Sequence, residues 1–504
     1  MARRPVLIAA MTVLLALGAA VGYWRWRARS RQPEAFITAV TPLEGGGALL
    51  LWHKNRMRGG ALGWVSSLDE TGRLRWARAL PDLPAGLLAE GPVLAGGVVV
   101  TRYGYYAETL RLVGHALADG ARRWDVPLLQ PHARGTVPVL SRAQLLGDRL
   151  LQWINESEPA QGADARLVPS LRTLDPETGR ELARAPAPST PVARWSLGQR
   201  LFVHETETLW IYEPARAQPL QLASPGGGCV VGADYITILE LDAGPALVTL
   251  KQGDPTARHI IKQGFHPVGD PGSFQALLSC GRHGDRLLFA LEASVAQPGG
   301  AISRGTSVVV TDLAGDTLHE LRLATSPAGL DRGLTMRDAP SAPLSGELPR
   351  FALFVTTVPG AGLSQHRLEL LDVEAARVVW QGRPDSELAR HGRVFRVGQR
   401  WLAVLGDGVR VTLVLFDGDS GALSAAVEVA SPTEIIWDVM PEHVAGGKLW
   451  LASMDITALD APALAVLDTT SLRPLRVGRP LRVTDVTAAV RAELGYPGSP
   501  FAAP

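Results

Sequence analysis

The chain has 504 residues, with 50 Lys plus Arg against 49 Asp plus Glu, 53 Gly, 37 Pro and two Cys. Glycine and proline at that density punctuate many short strands, and helical periodicity is absent outside the two ends, so an α-helical or mixed fold is disfavoured. Residues 1–31 hold six Arg and no acid, which leaves the rest at −5 without a basic run; nucleic acid is therefore not an expected partner, since phosphate neutralisation needs clustered Lys and Arg.

In chain order, residues 1–4 form a short basic tail. Residues 5–24 are 20 uncharged, mostly apolar positions. As a helix they extend about 30 Å, the thickness of a bilayer core. Tyr23 and Trp24 close the run at a position suited to the headgroup boundary, and Arg25, Arg27, Arg29 and Arg31 follow. The segment reads as a transmembrane signal anchor, followed by a basic juxtamembrane linker over 25–38. A cleaved signal peptide ending near Gly18-Ala19-Ala20 is the rival, but the apolar run continues past that point. The flanking arginines alone would keep the following domain in the cytoplasm. Long domains, however, translocate largely regardless of charge, and the periplasmic or outer face is the expected side.

Residues 39–480 repeat one pattern nine times: an apolar strand, a tight turn and an outgoing strand. The copies fall at 68–76 (Asp69, Gly72, Trp76), 116–124 (Asp119, Gly120, Trp124), 174–182 (Asp175, Gly179), 211–214, 248–254, 310–316 (Asp312, Gly315), 370–380 (Asp372, Trp380), 415–421 (Asp417, Gly421) and 466–472 (Asp468). An Asp at a strand end accepts backbone N–H bonds from residues just beyond it, and Gly supplies the positive φ that closes the hairpin. The Trp side chains fall on the outgoing strand, where a flat ring can pack between neighbouring units. These residues are accordingly structural turn formers, with no catalytic role assigned to them.

A second apolar strand precedes most copies, as at 199–204, 285–290, 351–355, 399–404 and 448–452. Such runs suit an inner strand buried on both faces. Recurrence at this period marks a propeller or solenoid, whose units bury their faces only by stacking. The expected fold is all-β, a single β-propeller of four-stranded blades. Eight blades are expected, with seven as the alternative, because propellers seldom exceed eight. On that count one of the nine copies is an insertion, or the weak fifth copy is spurious.

Longer polar stretches at 156–166, 293–305 and 325–347 read as inserted loops, where binding specificity usually resides. Cys229 and Cys280 allow one disulfide between neighbouring blades or two buried free thiols. Asp417-Gly418-Asp419-Ser420-Gly421 offers too few oxygens for calcium, and Cys280-Gly281-Arg282-His283 lacks two further ligands for a metal. The Gly-rich stretch 225–229 lacks the residues of a phosphate loop. In the terminal segment, 481–504, Asp485 as N-cap and Gly495 just past the end frame a short helix.

The Leu-Asp-x-x-Thr-Gly-x-x-x-Trp pattern resembles the tryptophan-docking repeats of quinoprotein-like propellers, a group with both quinone-dependent dehydrogenases and non-enzymatic envelope proteins. The resemblance covers most of 40–475, and the copies at 68–76 and 174–182 carry it best. The enzymatic branch typically holds a vicinal cysteine disulfide against its quinone. Cys229 and Cys280 are 51 positions apart, so that ring cannot form. The resemblance thus implies a non-enzymatic member with no cofactor. The expected function is a membrane-tethered scaffold that binds a protein partner in the bacterial cell envelope. Its rivals are a ligand-binding or sensory propeller using the central funnel and a quinone-dependent dehydrogenase-like enzyme.

Overall fold

The computed structural model describes residues 35–497 apart from connecting segments, chiefly 81–89, 128–142, 159–165, 265–273, 327–345, 358–365, 384–392, 431–443 and 453–463. Within these limits, each sequence repeat is an antiparallel meander in which consecutive strands pair with one another. There are nine such sheets: residues 35–79, 90–127, 144–186, 193–223, 228–263, 274–326, 351–381, 393–430 and 444–477, blades 1 to 9 in turn. Eight of the nine copies of the turn motif join the third and fourth strands of a blade, the copy in blade 7 joins the second and third of its three described strands, and seven of the nine sheets have four strands.

The count of eight is thus corrected to nine. The weak fifth copy is a genuine unit: Gly244–Lys251 pairs in full register with Asp234–Leu241 and then with Arg258–Gln263. The apolar runs at 199–204, 285–290, 399–404 and 448–452 are also re-placed, because each is the second strand of its blade rather than the innermost one. Phe351–Thr357 opens blade 7, which has three strands among the described residues.

The second strands are continuously apolar because their alternate residues serve two interfaces. A strand points successive side chains to opposite faces. In blade 1, Leu49 and Leu51 meet Val99 and Val113 of blade 2, whereas Ala48 and Leu50 meet Trp450 and Val466 of blade 9. The rule repeats around the molecule. Phe202 of blade 4 packs toward Tyr235 of blade 5, and Leu201 and Val203 toward Trp153 of blade 3. Leu402 of blade 8 faces blade 9, and its neighbours Trp401 and Ala403 face blade 7.

These clusters link every blade to the next and blade 9 back to blade 1, so the ring is complete. Among the described residues every blade but blade 8 is one continuous stretch of chain, and the ring closes by side-chain packing with no strand exchanged between first and last blades. Each fully buried Leu or Phe contributes about 2 kcal/mol to that closure.

The fourth strands are the outer edges and are largely exposed, as in Glu181–Pro186 and Arg258–Gln263. Blade 8 differs: strand Arg482–Asp485 returns from blade 9 and pairs with Leu423–Ala430, covering an edge that would otherwise stay open. Helix Thr487–Leu494 follows. Its N-cap is Val486 rather than Asp485, although the Asp485 carboxylate does accept the Thr487 N–H at 2.9 Å. Gly495 closes it in the left-handed region, φ 66°.

The segment 5–24 lies outside the described residues, as does most of the linker 25–38. Among the described residues no helix is long and apolar enough to cross a membrane. Of the expected insertions, 156–166 and 293–305 turn out to hold strand ends: Glu158 pairs with Arg166, and Ala296 with Ile302. The stretch 327–345 lies outside the described residues.

Candidate functional site

The motif carboxylates close hairpins. Asp69 Oδ1 accepts N–H bonds from Thr71 and Arg73 at 2.8 and 2.9 Å and the Thr71 hydroxyl at 2.7 Å. The Thr71 hydroxyl first, then the Arg73 N–H, hold the Asp69 carboxyl below the ordinary range. Asp119 takes the Ala121 N–H, Asp175 those of Glu177 and Thr178, and Asp312 those of Ala314 and Asp316. Asp417 accepts from Asp419, Ser420 and the Ser420 hydroxyl, and Asp468 from Thr470, Ser471 and both their hydroxyls. Buried Asp372 accepts Arg350 Nη2 at 2.8 Å and the Ala375 N–H. Oδ1 of Asp417, the residue that opened the calcium-like loop, is thus occupied by its own turn.

One left-handed residue follows each of these carboxylates in the described turns: Gly72, Gly120, Gly179, Gly315, Ala376, Gly421 and Leu472. Glycine is needed twice over at some of them. Trp76 lies against Gly120 of the next blade, with its ring where a Cβ would stand 2.6 Å away, and its Nε1 donates to the Leu117 carbonyl at 2.8 Å. Trp124 repeats this on Gly179, donating to the Pro176 carbonyl at 2.9 Å. Each tryptophan therefore locks its blade onto the turn of the following one.

Three seams replace that lock. Between blades 7 and 8, Tyr496 is inserted edge-on against Trp380, with ring centroids 5.0 Å apart, and its hydroxyl donates to the Gly421 carbonyl. Between blades 5 and 6, Lys262 lies over Gly315 and its ammonium pairs with the next residue, Asp316. The same seam carries the bond between Cys229 and Cys280, both fully buried, their Cα atoms 5.5 Å apart. Cys280 is therefore unavailable to a metal, and His283 Nδ1 lies 2.9 Å from the Leu348 carbonyl oxygen. No group of three or more His, Cys, Asp or Glu that could hold a metal occurs among the described residues.

The third replacement is at the closing seam. Arg476 of blade 9 lies over Gly72 of blade 1 and donates to the Thr71 carbonyl. The residue after this glycine is Arg73, where the seam between blades 5 and 6 has Asp316. Lys448, in the first hairpin of blade 9, reaches across to the carbonyls of Gly46 and Glu70 at 3.3 and 3.5 Å. Around them opens a surface cleft of about 630 Å³, lined by Glu70, Thr71, Arg73, Lys448, Val466, Leu475 and Arg476. Val466 is its buried floor and Leu475, 54% exposed, its apolar wall.

Several other cations meet carboxylates, as in Arg111 with Asp125, Arg200 with Glu213 and Arg367 with Glu369, while Arg78 donates to the Asp119 and Gly120 carbonyls of the next blade's turn. Among the described residues none of Arg73, Lys448 and Arg476 makes such a pair. Sequence reading missed this site because its residues converge across almost the whole chain. The available signals were small: Lys448 is one of only four lysines, and Arg476 stands four residues past the left-handed Leu472, as Trp76 stands four past Gly72.

Among the described residues two histidines are buried within the ring, His115 and His204. His204 Nε2 lies 2.9 Å from the Tyr235 hydroxyl at the interface of blades 4 and 5. Burial pushes its pKa down to about 3, and burial followed by the charges of Arg122 and Arg78 pushes His115 down to about 4. Both are neutral at pH 7. Burial raises Tyr235 far above its ordinary value, so it is a hydroxyl and not a phenolate.

No family model and no curated protein matches the sequence. Among solved structures, the chain is similar to an uncharacterized protein, lmo1340, from Listeria monocytogenes (12% identity, 66% of this chain and 91% of that one, TM-score 0.30). It is also similar to Sqt1 of Saccharomyces cerevisiae (10% identity, 84% and 94%, TM-score 0.34). A prolyl endopeptidase gives 13% identity and a TM-score of 0.35, over 79% of this chain and 49% of that one. These scores are below 0.5 and assign this chain no function.

Proposed function

We propose that the chain is a membrane-tethered, non-enzymatic β-propeller that scaffolds protein contacts in the bacterial cell envelope. One observation carries this reading: the repeat turns consume their own carboxylates, whereas the closing seam leaves three cations and an exposed leucine on the surface. A rigid ring with a distinctive surface patch is suited to holding a partner. The apolar, uncharged run 5–24 supports a membrane tether, and the Cys229–Cys280 bond supports an oxidising compartment.

Two measurements test the proposal. The native chain should remain with membranes through an alkaline carbonate wash, and a C-terminal reporter active only in the periplasm should be active. Mild cross-linking of intact cells followed by capture of the full chain should return one reproducible envelope protein. A chain released by the wash, or captured repeatedly alone, overturns the reading. So does quinone absorbance in protein purified with calcium and cofactor.

A further inference from the structure

We propose that the cleft between blades 9 and 1 binds an acidic segment of a protein partner, with Arg73, Lys448 and Arg476 receiving its carboxylates and Leu475 an adjacent apolar side chain. The proposal rests on the scaffold reading above and names the partner chemistry of that site.

The argument comes from comparing seams built on one plan. In each, a side chain from a fourth strand lies over the left-handed glycine of the next blade's turn. Trp76 and Trp124 do so as uncharged rings. Lys262 does so as a cation, and Asp316, directly after the glycine, neutralises it. At the closing seam the cation is Arg476, but the residue directly after the glycine is Arg73, so like charge stands where the seam between blades 5 and 6 supplies a counter-charge. Lys448 adds a third positive charge from another hairpin.

Arg476 and Lys448 are held in place by the Thr71, Gly46 and Glu70 carbonyls, contacts that orient them without cancelling their charge. Among the described residues Glu70 is the lining's one carboxylate, which leaves that lining at +2 on a propeller whose chain after residue 31 is −5. Charge of one sign focused in a cleft of this size attracts a complementary chain and fixes its register. Leu475, with exposed Leu74 on the fourth strand of blade 1, supplies apolar surface that a free inorganic anion would not use.

The test uses the full chain in phosphatidylcholine nanodiscs and a fluorescent peptide of alternating Glu and Leu, with a Gln-Leu peptide as control. The acidic peptide should bind, weaken with added salt and lose at least about tenfold in affinity in Arg73→Asp and in Lys448→Gln, while the control does not bind. Arg73→Asp also gives Arg476 the counter-charge that Lys262 has, so its melting midpoint should hold or rise; a fall contradicts the charge argument. Equal binding of both peptides, or binding indifferent to Arg73→Asp, overturns the proposal. Phosphatidylglycerol vesicles binding in an Arg73-dependent way, with no peptide binding, would overturn it in favour of a lipid surface. In cells, a partner captured equally by wild type and Arg73→Asp sinks the cleft and spares the scaffold; no partner in either sinks the scaffold.

Discussion

A single methyl group distinguishes the two demands placed on the turn glycines. Gly120 combines φ 71° with the Trp76 ring 2.6 Å from any added Cβ, whereas Gly147, φ 59°, has open space around it. Gly147→Ala should cost about 1 kcal/mol, the left-handed penalty alone. Gly120→Ala must also displace the indole and its bond to the Leu117 carbonyl, so its cost should exceed that by about 1–3 kcal/mol, measured by urea denaturation. Equal costs would show that the tryptophan does not seat on the glycine.

The buried histidines set the response to acid. Their folded values, about 4 for His115 and about 3 for His204, are below the ordinary value, so the unfolded chain takes up protons first as pH falls. Their contribution is whole above about pH 6.5 and declines below it, by about 1–2 kcal/mol each near about pH 5. The lowered carboxylates of Asp69, Asp175 and Asp468 act later, their contribution being present above about pH 4 and lost below it. Urea midpoints should therefore fall in two stages, and the double substitution His115→Gln and His204→Gln should flatten the first stage. An unchanged first stage would assign it to other groups.

At the level of elements, the turn was readable because its chemistry is local. Asp and Gly specify a hairpin from within four or five residues, so even Val248–Asp254 marked a real blade. The docking of one element on another was not readable. The C-terminal helix was legible as a helix through Gly495, but nothing local says that Tyr496 inserts between Trp380 and the Gly421 turn, 75 or more residues away. Val490, Leu494 and Tyr496 enter the core shared by blades 6, 7 and 8. Tyr496→Ala should therefore cost about 3–5 kcal/mol, comparable to removing a large core ring. A shift under about 1 kcal/mol would mean that the terminal segment is an appendage and not a clasp.

For the whole molecule, the sequence shows nine repeats and nine blades form; the expectation of eight rests on the usual upper size of propellers and not on the residues. Sequence also cannot show how the ring closes, since the decisive contacts join residues about four hundred positions apart, such as Lys448 with Gly46 and Arg476 with Thr71. With no strand exchanged among the described residues, closure depends on side-chain packing and inter-blade links. The Cys229–Cys280 bond is one such link, closing a loop across blades 5 and 6. By the chain-entropy account, a loop of this length stabilises by about 4 kcal/mol. Reductant should lower the melting midpoint of wild type and leave the Cys229→Ala, Cys280→Ala double variant unmoved. No response in wild type would show that the thiols are free.

The central claim, that this ring works by holding a protein at its closing seam, is tested most directly by photo-cross-linking in living cells from position 475. The same probe at Leu182 and Ile260, exposed residues on the fourth strands of blades 3 and 5, serves as the control. A single envelope protein should be trapped from position 475 and not from the controls, and Arg73→Asp should abolish it. Equal trapping from all three positions, or none from position 475 in a correctly folded chain, would contradict the account.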